Sequence, residues 1–269
     1  MRRHAAFVPL LALPAFLYLT APLIGLFSRT ELDQIRPLIC CHEVKAALAV
    51  TAVTSTAAAV LIVLLGTPLA YLLAYADFQG KRLVDTIVDI PLVLPPAVAG
   101  VALFFTFGRN GMLGHQFAPR FTIPFTMAAV VMAQVFVSAP LYIKQARVGF
   151  LNVPPQLVAA SRTLGASSTR TFLKITLPLA SHGLIAGLVL AWARSIGEFG
   201  ATLLFAGNMV GITQTMSLAI YTAFEAQQRL SAVVVMSGIL VAVCFAVIII
   251  TKAVLESARP HEAHRATLG

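Results

Sequence analysis

Long apolar stretches separated by short polar segments dominate the chain. Six of them carry few or no charged side chains, and each has about the 20 residues that a helix needs to cross a bilayer. They occupy residues 5–28, 46–76, 90–108, 121–143, 178–206 and 230–251. The stretches do not alternate between polar and apolar residues with a period of two, as membrane β-strands do. The pattern therefore predicts an all-α integral membrane protein with about six transmembrane helices.

Composition and charge agree with a membrane protein. Of the 269 residues, 59% are hydrophobic and 11% are charged, whereas a soluble domain has about 25% charged residues. The mean hydropathy is +0.89. With the N-terminus in the cytoplasm, 12 basic residues fall in cytoplasmic segments and 6 in outer loops, which predicts an N-in, C-in topology. The net charge of +9 is thereby explained by basic loops, and we expect no nucleic-acid partner.

The chain is predicted to form a single transmembrane domain over residues 1–269. The first apolar stretch follows Arg2 and Arg3, as the core of a signal peptide would. However, Pro9, Pro14 and Pro22 interrupt it and no small-x-small cleavage site is evident. We therefore expect this stretch to be retained as the first helix.

The longest cytoplasmic segment, residues 144–177, has a pattern of its own. Pro154 and Pro155 suit the first turn of a helix, and Gly165 suits the left-handed residue that ends one. The apolar ridge between them consists of Leu157, Ala160 and Leu164. Ser167 is a suitable cap for a second short helix. The small residues of the first helix favour docking against another protein over contact with lipid headgroups, for which bulkier side chains are usual.

The same segment carries a spaced motif. It reads Ala159-Ala160-Ser161-Arg162-Thr163-Leu164-Gly165, then nine residues, then Ile175-Thr176-Leu177-Pro178. This resembles the signature loop of the permease subunits of bacterial and archaeal ABC importers, which reads Glu-Ala-Ala, three residues, Gly, nine residues, Ile-x-Leu-Pro. Two positions depart from the pattern, since Ala159 replaces the glutamate and Ser161 the second alanine. The resemblance implies a coupling helix that docks on a cytoplasmic ATPase through Ala159, Ala160, Ser161, Arg162, Leu164, Gly165, Leu177 and Pro178.

Other stretches resemble the oxyanion branch of this family. They are 94–100, 108–111, 197–203, 206–208 and 213–222. The first two are similar to the third-span region of that branch, and the next two to the fifth-span signature shared by sulfate and molybdate permeases. The last stretch is most similar to the molybdate members. The resemblance implies the membrane-spanning subunit of an ATP-driven importer for a tetrahedral oxyanion, molybdate first and tungstate next, with a sulfate or thiosulfate permease as the nearest alternative.

The resemblance also implies a set of partners. A second copy of the chain would complete the pathway, two cytoplasmic ABC ATPase subunits would hold the docking loop, and an extracytoplasmic oxyanion-binding protein would deliver the anion. The implied location is the plasma (inner) membrane of a prokaryote. The chain contains neither G-x-x-x-x-G-K-[ST] nor G-x-G-x-x-G, the motifs that cradle nucleotide phosphates. We therefore expect ATP and Mg on the partner ATPase, and no enzymatic activity and no bound cofactor in this chain.

Candidate residues of the transport path or its gate lie in the third and fifth spans. The prolines Pro91, Pro95 and Pro96 are expected to break or kink the third span. In the fifth span, Arg194 and Glu198 are four residues apart and share one helix face, which must point into the bundle or a wet cavity. We favour packing or gating over substrate binding for this pair, because Glu198 repels an anion. The candidate set is Pro95, Pro96, Arg194, Gly197, Glu198 and Gly200.

Three further features have structural interpretations. A stripe of small residues at four-residue intervals, which allows close helix packing, consists of Gly183, Gly187, Ala191 and Ser195. It is either the homodimer seam or an internal contact. Asp85 and Asp89 suit the dipole at a helix N-terminus. The run Cys40-Cys41-His42-Glu43 lacks the separated ligands of a structural metal site.

Two classes outside the family remain as alternatives. An ion-coupled carrier would need more acidic residues within the spans, and no repeated halves are visible. A membrane anchor or electron-transfer subunit would need pairs of haem-ligating histidines, and the histidines here are isolated. Neither alternative accounts for the spacing of the docking motif.

Overall fold

The computed structural model describes residues 7–28, 37, 41–117, 122–226 and 230–257, and all the regular elements within them are helices. In chain order these are α1 (Phe7–Ser28), α2 (His42–Tyr75), α3 (Lys81–Val93), α4 (Pro96–Phe107), α5 (Gly114–Phe117), α6 (Met127–Leu151), α7 (Pro155–Thr163), α8 (Ser168–Thr171), α9 (Leu177–Ile196), α10 (Gly200–Ala206), α11 (Met216–Glu225) and α12 (Leu230–Ser257). A π-helical turn, Phe172–Thr176, joins α8 to α9. The predicted all-α class is confirmed.

Four helices in the described part of the chain are long and apolar enough to cross a membrane. They are His42–Tyr75, Met127–Leu151, Ser168–Ile196 and Leu230–Ile249. The bent pair α3–α4 supplies a fifth span. The helix α1, whose described apolar part is Ala12–Ser28, corresponds to the first predicted stretch. The helices therefore fit the prediction of about six spans.

The third span is broken, as its prolines predict. The axes of α3 and α4 differ by 117°, and the backbone is extended at both Leu94 and Pro95. Each of these residues precedes a proline, and a residue in that position avoids the helical conformation. Pro91 lies inside α3 without ending it. The break is therefore set by the Pro95-Pro96 pair.

Two ion pairs fasten the inner half of this span to α6. A guanidinium nitrogen of Arg147 lies 2.7 Å from an Asp85 carboxylate oxygen, and Lys144 Nζ lies 2.9 Å from Asp89. All four side chains are partly exposed. Neither carboxylate is in the first turn of α3, where the helix dipole acts. The explanation from the helix dipole is therefore wrong, and the two carboxylates are stabilised by the cations of α6 instead.

The centre of the bundle is α6, with α2 and α9 packed along it. Tyr142 of α6 is buried and its hydroxyl lies 2.6 Å from the Thr67 hydroxyl of α2. On α9, a Cβ built on Gly183 would lie 2.5 Å from the Gly149 Cα, and one on Gly187 would lie 3.0 Å from the Tyr142 carbonyl oxygen. The stripe of small residues is therefore an internal contact with α6 at these two positions. Its remaining members, Ala191 and Ser195, are fully buried.

The fifth span differs from its prediction at both ends. The second helix of the cytoplasmic segment does not stop before the span, because α8 runs through the π-helical turn into α9 as one helical stretch, Ser168–Ile196. At the outer end, the predicted span reaches residue 206, but α9 ends at Ile196 and a separate helix begins at Gly200. The prediction of one apolar helix to residue 206 is therefore wrong.

Candidate functional site

The helix α7 carries most of the candidate docking residues, and its own sequence defines both ends. Pro155 lies in the first turn, where a missing N–H costs no hydrogen bond. At the other end Gly165 has a φ of +81°. Its N–H donates to the Arg162 carbonyl at 2.9 Å, and the Ala166 N–H donates to the Ser161 carbonyl at 3.1 Å. This pair of bonds is a Schellman motif, which satisfies the last carbonyls of a helix, and the predicted helix end is confirmed.

Most of the surface of α7 is open. Leu157 is 47% exposed and Leu164, at the cap, is 87% exposed. On the other side of the helix Val158 packs against the core and Ser161 is 7% exposed. The candidates that are exposed are Ala159, Ala160, Arg162, Leu164 and Gly165. Since exposed apolar side chains in a group mark an interaction surface, the ridge has the character expected of a docking site.

The last two docking candidates, Leu177 and Pro178, begin α9, at the position where the sequence predicts the start of the fifth span. The Leu177 N–H donates to the carbonyl of Phe172, five residues earlier. Proline lacks an N–H and its ring crowds the carbonyl four residues back in a regular α-helix. A π-helical turn directly before Pro178 widens the helix at the position where this crowding would occur. The chain thus passes from α8 into the fifth span without a break.

Aromatic side chains hold this junction against the rest of the bundle. The Phe172 ring packs edge-on against Tyr71 of α2, with 5.1 Å between the ring centroids, and lies 6.4 Å from the Phe150 ring of α6. The Tyr75 hydroxyl donates to the Phe150 carbonyl at 2.6 Å. The cytoplasmic ends of α2, α6 and the fifth span therefore form one packed cluster beneath α7.

The breaks in the third and fifth spans lie against each other. A Cβ built on Gly200 would lie 2.8 Å from Pro96 Cβ, and one on Gly100 would lie 2.8 Å from the Ala201 carbonyl oxygen. Neither crossing has room for a methyl group, which explains why glycine occupies both positions. The backbone at the breaks is open, since the exposed residues there include Pro95, Pro96 and Gly197. The structure therefore brings the predicted path or gate residues into one region.

Arg194 and Glu198 form the ion pair that their spacing predicts. A guanidinium nitrogen of Arg194 donates to Glu198 Oε2 at 2.7 Å. The other oxygen, Oε1, accepts the Ala201 N–H at 2.9 Å, so the carboxylate also caps α10. The side chain of Glu198 is 1% exposed and that of Arg194 is 34% exposed. Because each carboxylate oxygen has a partner, the pair stabilises the break and leaves little free positive charge to hold an anion.

Sequence reasoning missed a hydrogen-bond network on the outer side. Asn208 Nδ2 donates to the Thr222 hydroxyl at 2.8 Å, and Asn208 Oδ1 accepts from Gln214 Nε2 at 3.0 Å. The Met209 N–H donates to the Thr213 hydroxyl at 3.0 Å. These bonds tie the loop after α10 to α11. The signal in the sequence was a polar run between two apolar stretches, but such a run does not show which side chains pair.

The cysteine-containing run lies near the outer start of α2. Cys41 is a free thiol, whereas Cys40 lies outside the described residues. Together with Glu43, Gln214 and Thr222, Cys41 lines a cavity of 310 Å³. Within the described ranges, no group of three histidine, cysteine or acidic residues is placed to hold a metal ion. The expectation that the run lacks a metal stays a prediction.

Known transport proteins match most of the chain. The family described as binding-protein-dependent transport system inner membrane component matches residues 63–259. The molybdenum transport system permease protein ModB of Mycobacterium tuberculosis is 38% identical over 211 residues, which cover 78% of this chain and 80% of that protein. The molybdate/tungstate transport system permease protein WtpB of Pyrococcus abyssi is 40% identical over 199 residues, which cover 72% of this chain and 75% of that protein.

A solved structure shares the fold. It is a bacterial alginate ABC transporter in complex with an alginate pentasaccharide-bound periplasmic protein, and it superposes with a TM-score of 0.74 over 93% of both chains. The two sequences are 14% identical, so the likeness concerns the fold alone. It supports the arrangement of spans described above.

The fold is that of a membrane permease subunit. Its third and fifth spans are broken, α6 lies at its centre, and the cytoplasmic helix α7 has an exposed surface. The chain belongs to the family of binding-protein-dependent transport system inner membrane components. It is therefore a multi-pass protein of a prokaryotic plasma membrane and a transport subunit. The resemblance of its cytoplasmic motif to ABC-importer permeases is confirmed.

Proposed function

We propose that the chain is the membrane-spanning subunit of an ATP-driven importer for molybdate or tungstate. The observation that carries the proposal is α7, a short helix with defined ends that presents an apolar ridge on the cytoplasmic side. Relatives named for molybdenum and for molybdate/tungstate transport support the choice of cargo. A tetrahedral dianion cannot cross lipid unaided because its desolvation is too costly, so it needs a protein path and an energy source.

The energy source is an ATPase on another chain. Two cytoplasmic ATPase subunits bind the ridge on α7 of two copies of this chain, and an external binding protein delivers the anion. Because that protein selects the anion, the path itself needs only weak affinity. The pairing of Arg194 with Glu198 at 2.7 Å agrees with this requirement, since an unpaired cation on the path would hold a dianion too tightly for release.

Movement of α7 reaches the breaks through the fifth span. The helical stretch Ser168–Ile196 is continuous, so a displacement at its cytoplasmic end is carried along its length. Beyond its outer end, the chain continues into α10, whose first residue, Gly200, contacts Pro96 at the third-span break. Opening and closing at the paired breaks is therefore the step that we assign to Pro95, Pro96, Arg194, Gly197, Glu198 and Gly200.

Uptake by whole cells tests the proposal. Cellular molybdenum, tungsten and sulfur are measured in a strain lacking the gene, at scarce external oxyanion, with and without complementation. We expect a molybdenum or tungsten deficit that the wild-type gene corrects. Gly165→Pro should fail to correct it, because proline cannot adopt the φ of +81° found there. Gly165→Asn is the matched control, since asparagine tolerates this conformation.

Two other outcomes have definite meanings. Normal molybdenum and tungsten with impaired sulfate uptake would replace the proposed cargo by sulfate or thiosulfate. Unchanged content of all three elements would refute the oxyanion proposal while leaving the family membership as it is.

A further inference from the structure

We propose that the hydroxyl groups of Ser161 and Thr171 form the joint that fixes α7 to the fifth span, which makes Ser161 a positioning residue for energy coupling. The inference rests on the proposed function, because it requires an ATPase that binds α7. It extends that function to a residue at which this chain departs from the family motif, since serine stands in the place of the second alanine.

The two hydroxyls form a buried hydrogen bond. The oxygen atoms of Ser161 and Thr171 are 2.9 Å apart, and the two residues are 7% and 3% exposed. Ser161 is the one buried residue of α7, whereas Thr163 on the same helix bonds locally to the Ala159 carbonyl and is exposed. A buried hydrogen bond is directional and is shielded from competing water. It therefore fixes the orientation of α7 as well as its distance from α8.

Thr171 lies on a firmly held part of the chain. The next residue, Phe172, begins the π-helical turn and packs on Tyr71 and Phe150. The Thr171 N–H also donates to the Ser167 carbonyl at 2.9 Å, inside the capped start of α8. A force that reaches Thr171 is thus passed to the packed ends of α2, α6 and the fifth span.

The other attachments of α7 hold its orientation less well. The chain link to α8 runs through Gly165, where φ is +81° and no atom lies within 4 Å of the Cβ position. Val158 adds an apolar contact with the core, but apolar contacts are not directional. Without the hydroxyl bond, rotation of α7 about its own axis is opposed by apolar contacts, those of Val158 and of the buried Val153 that joins it to α6. A displacement of α7 by the ATPase would then rotate α7 in part, and the displacement of the fifth span would be smaller.

The test uses the complete importer in proteoliposomes, with the permease, its ATPase and the external binding protein, and molybdate as the transported anion. The readout is the number of ATP molecules hydrolysed per molybdate transported. For Ser161→Ala or Thr171→Val we expect this ratio to rise by about threefold, the effect of losing one modest hydrogen bond. The double variant should be no worse than the poorer single variant, because both remove the same bond. Thr171→Ser keeps a hydroxyl at this position and should therefore have the wild-type ratio.

Control measurements separate positioning from other roles. Thr163→Val removes an exposed hydroxyl from the same helix and should leave the ratio unchanged. The thermal unfolding midpoint of the Ser161 and Thr171 variants should fall by no more than about 1–6 °C, the cost of one buried hydrogen bond, and the amount of copurified ATPase should match the wild type in every variant. An unchanged ratio in Ser161→Ala would overturn the proposal, and so would an equal rise in Thr163→Val or loss of the ATPase from Ser161→Ala. Absence of molybdate transport by the wild type would instead count against the proposed function.

Discussion

The Arg194–Glu198 ion pair lies where the breaks in the third and fifth spans meet. Removing one partner at a time tests how the burial of a charge affects the stability of the protein. Glu198→Gln keeps an oxygen that can accept the Ala201 N–H but removes the counter-charge of Arg194. Arg194→Met removes the cation and leaves the carboxylate alone. Glu198 is 1% exposed and Arg194 is 34% exposed, so water can solvate an unpaired Arg194 but not an unpaired Glu198. We therefore expect the two substitutions to differ in their effect on stability.

The expected magnitudes follow from this difference in burial. Removing one partner of a buried ion pair costs about 3–5 kcal/mol, and Arg194→Met belongs in that range because the remaining carboxylate is buried. Glu198→Gln leaves a partly hydrated cation and retains one hydrogen bond, so its cost should be about 1–2 kcal/mol. The double variant removes both charges. It should unfold at a higher temperature than Arg194→Met alone.

The assay is the unfolding midpoint of the purified permease in one detergent, together with transport per ATP in proteoliposomes. At about 2–4 °C per kcal/mol for a chain of this size, Glu198→Gln should lower the midpoint by about 2–8 °C, and Arg194→Met by more. Glu225→Gln, at an exposed carboxylate on α11, is the matched control and should shift it little. A midpoint for Arg194→Met at or above that of Glu198→Gln would refute the burial argument. Wild-type transport and coupling in Glu198→Gln would refute a gating role.

Two glycine substitutions test the helix crossings. Gly200→Ala would place a Cβ 2.8 Å from Pro96 Cβ, so we expect it to lower molybdate uptake in a complemented deletion strain more than Gly238→Ala, whose Cβ meets nothing closer than 3.8 Å. Equal uptake by the two variants would contradict the contact between the breaks. Gly183→Ala would place a Cβ 2.5 Å from Gly149 Cα, an overpacking that costs about 1–3 kcal/mol. The unfolding midpoint should therefore fall relative to Gly238→Ala, and an unchanged midpoint would argue against a tight crossing of α6 and α9.

The spans could be predicted because the length of an apolar run largely decides whether a helix crosses lipid. The ends of α7 could be predicted for a different reason, since Pro155 and Gly165 have strong local conformational preferences. The outer end of the fifth span could not. The helix α9 ends at Ile196, and the Glu198 carboxylate accepts the Ala201 N–H at the start of α10; an apolar run does not reveal where a side chain will cap a new helix.

Contacts between residues that are far apart in the sequence could not be predicted either. A stripe of small residues packs equally well against a second copy or against the same chain, and the close approach of Gly183 to Gly149 decides between them. Likewise, the motif marks Ser161 as a departure, but it does not show that the Ser161 hydroxyl bonds to Thr171. Both cases depend on which faces meet after folding, and helix periodicity specifies a face but not its partner.

The two ion pairs between α3 and α6 have a mechanical consequence. Each is partly exposed and contributes little energy alone, but Asp85 and Asp89 are one helical turn apart. A single ion pair would allow α3 to rotate about it, whereas two ion pairs restrict the rotation of α3 relative to α6. The cytoplasmic end of α6 leads almost directly into α7. The inner half of the third span is thereby held to the cytoplasmic end of α6 by charged side chains, whereas its outer half packs against α10 at Gly100. The Leu94–Pro95 break therefore separates two halves of one span that are held by different kinds of contact.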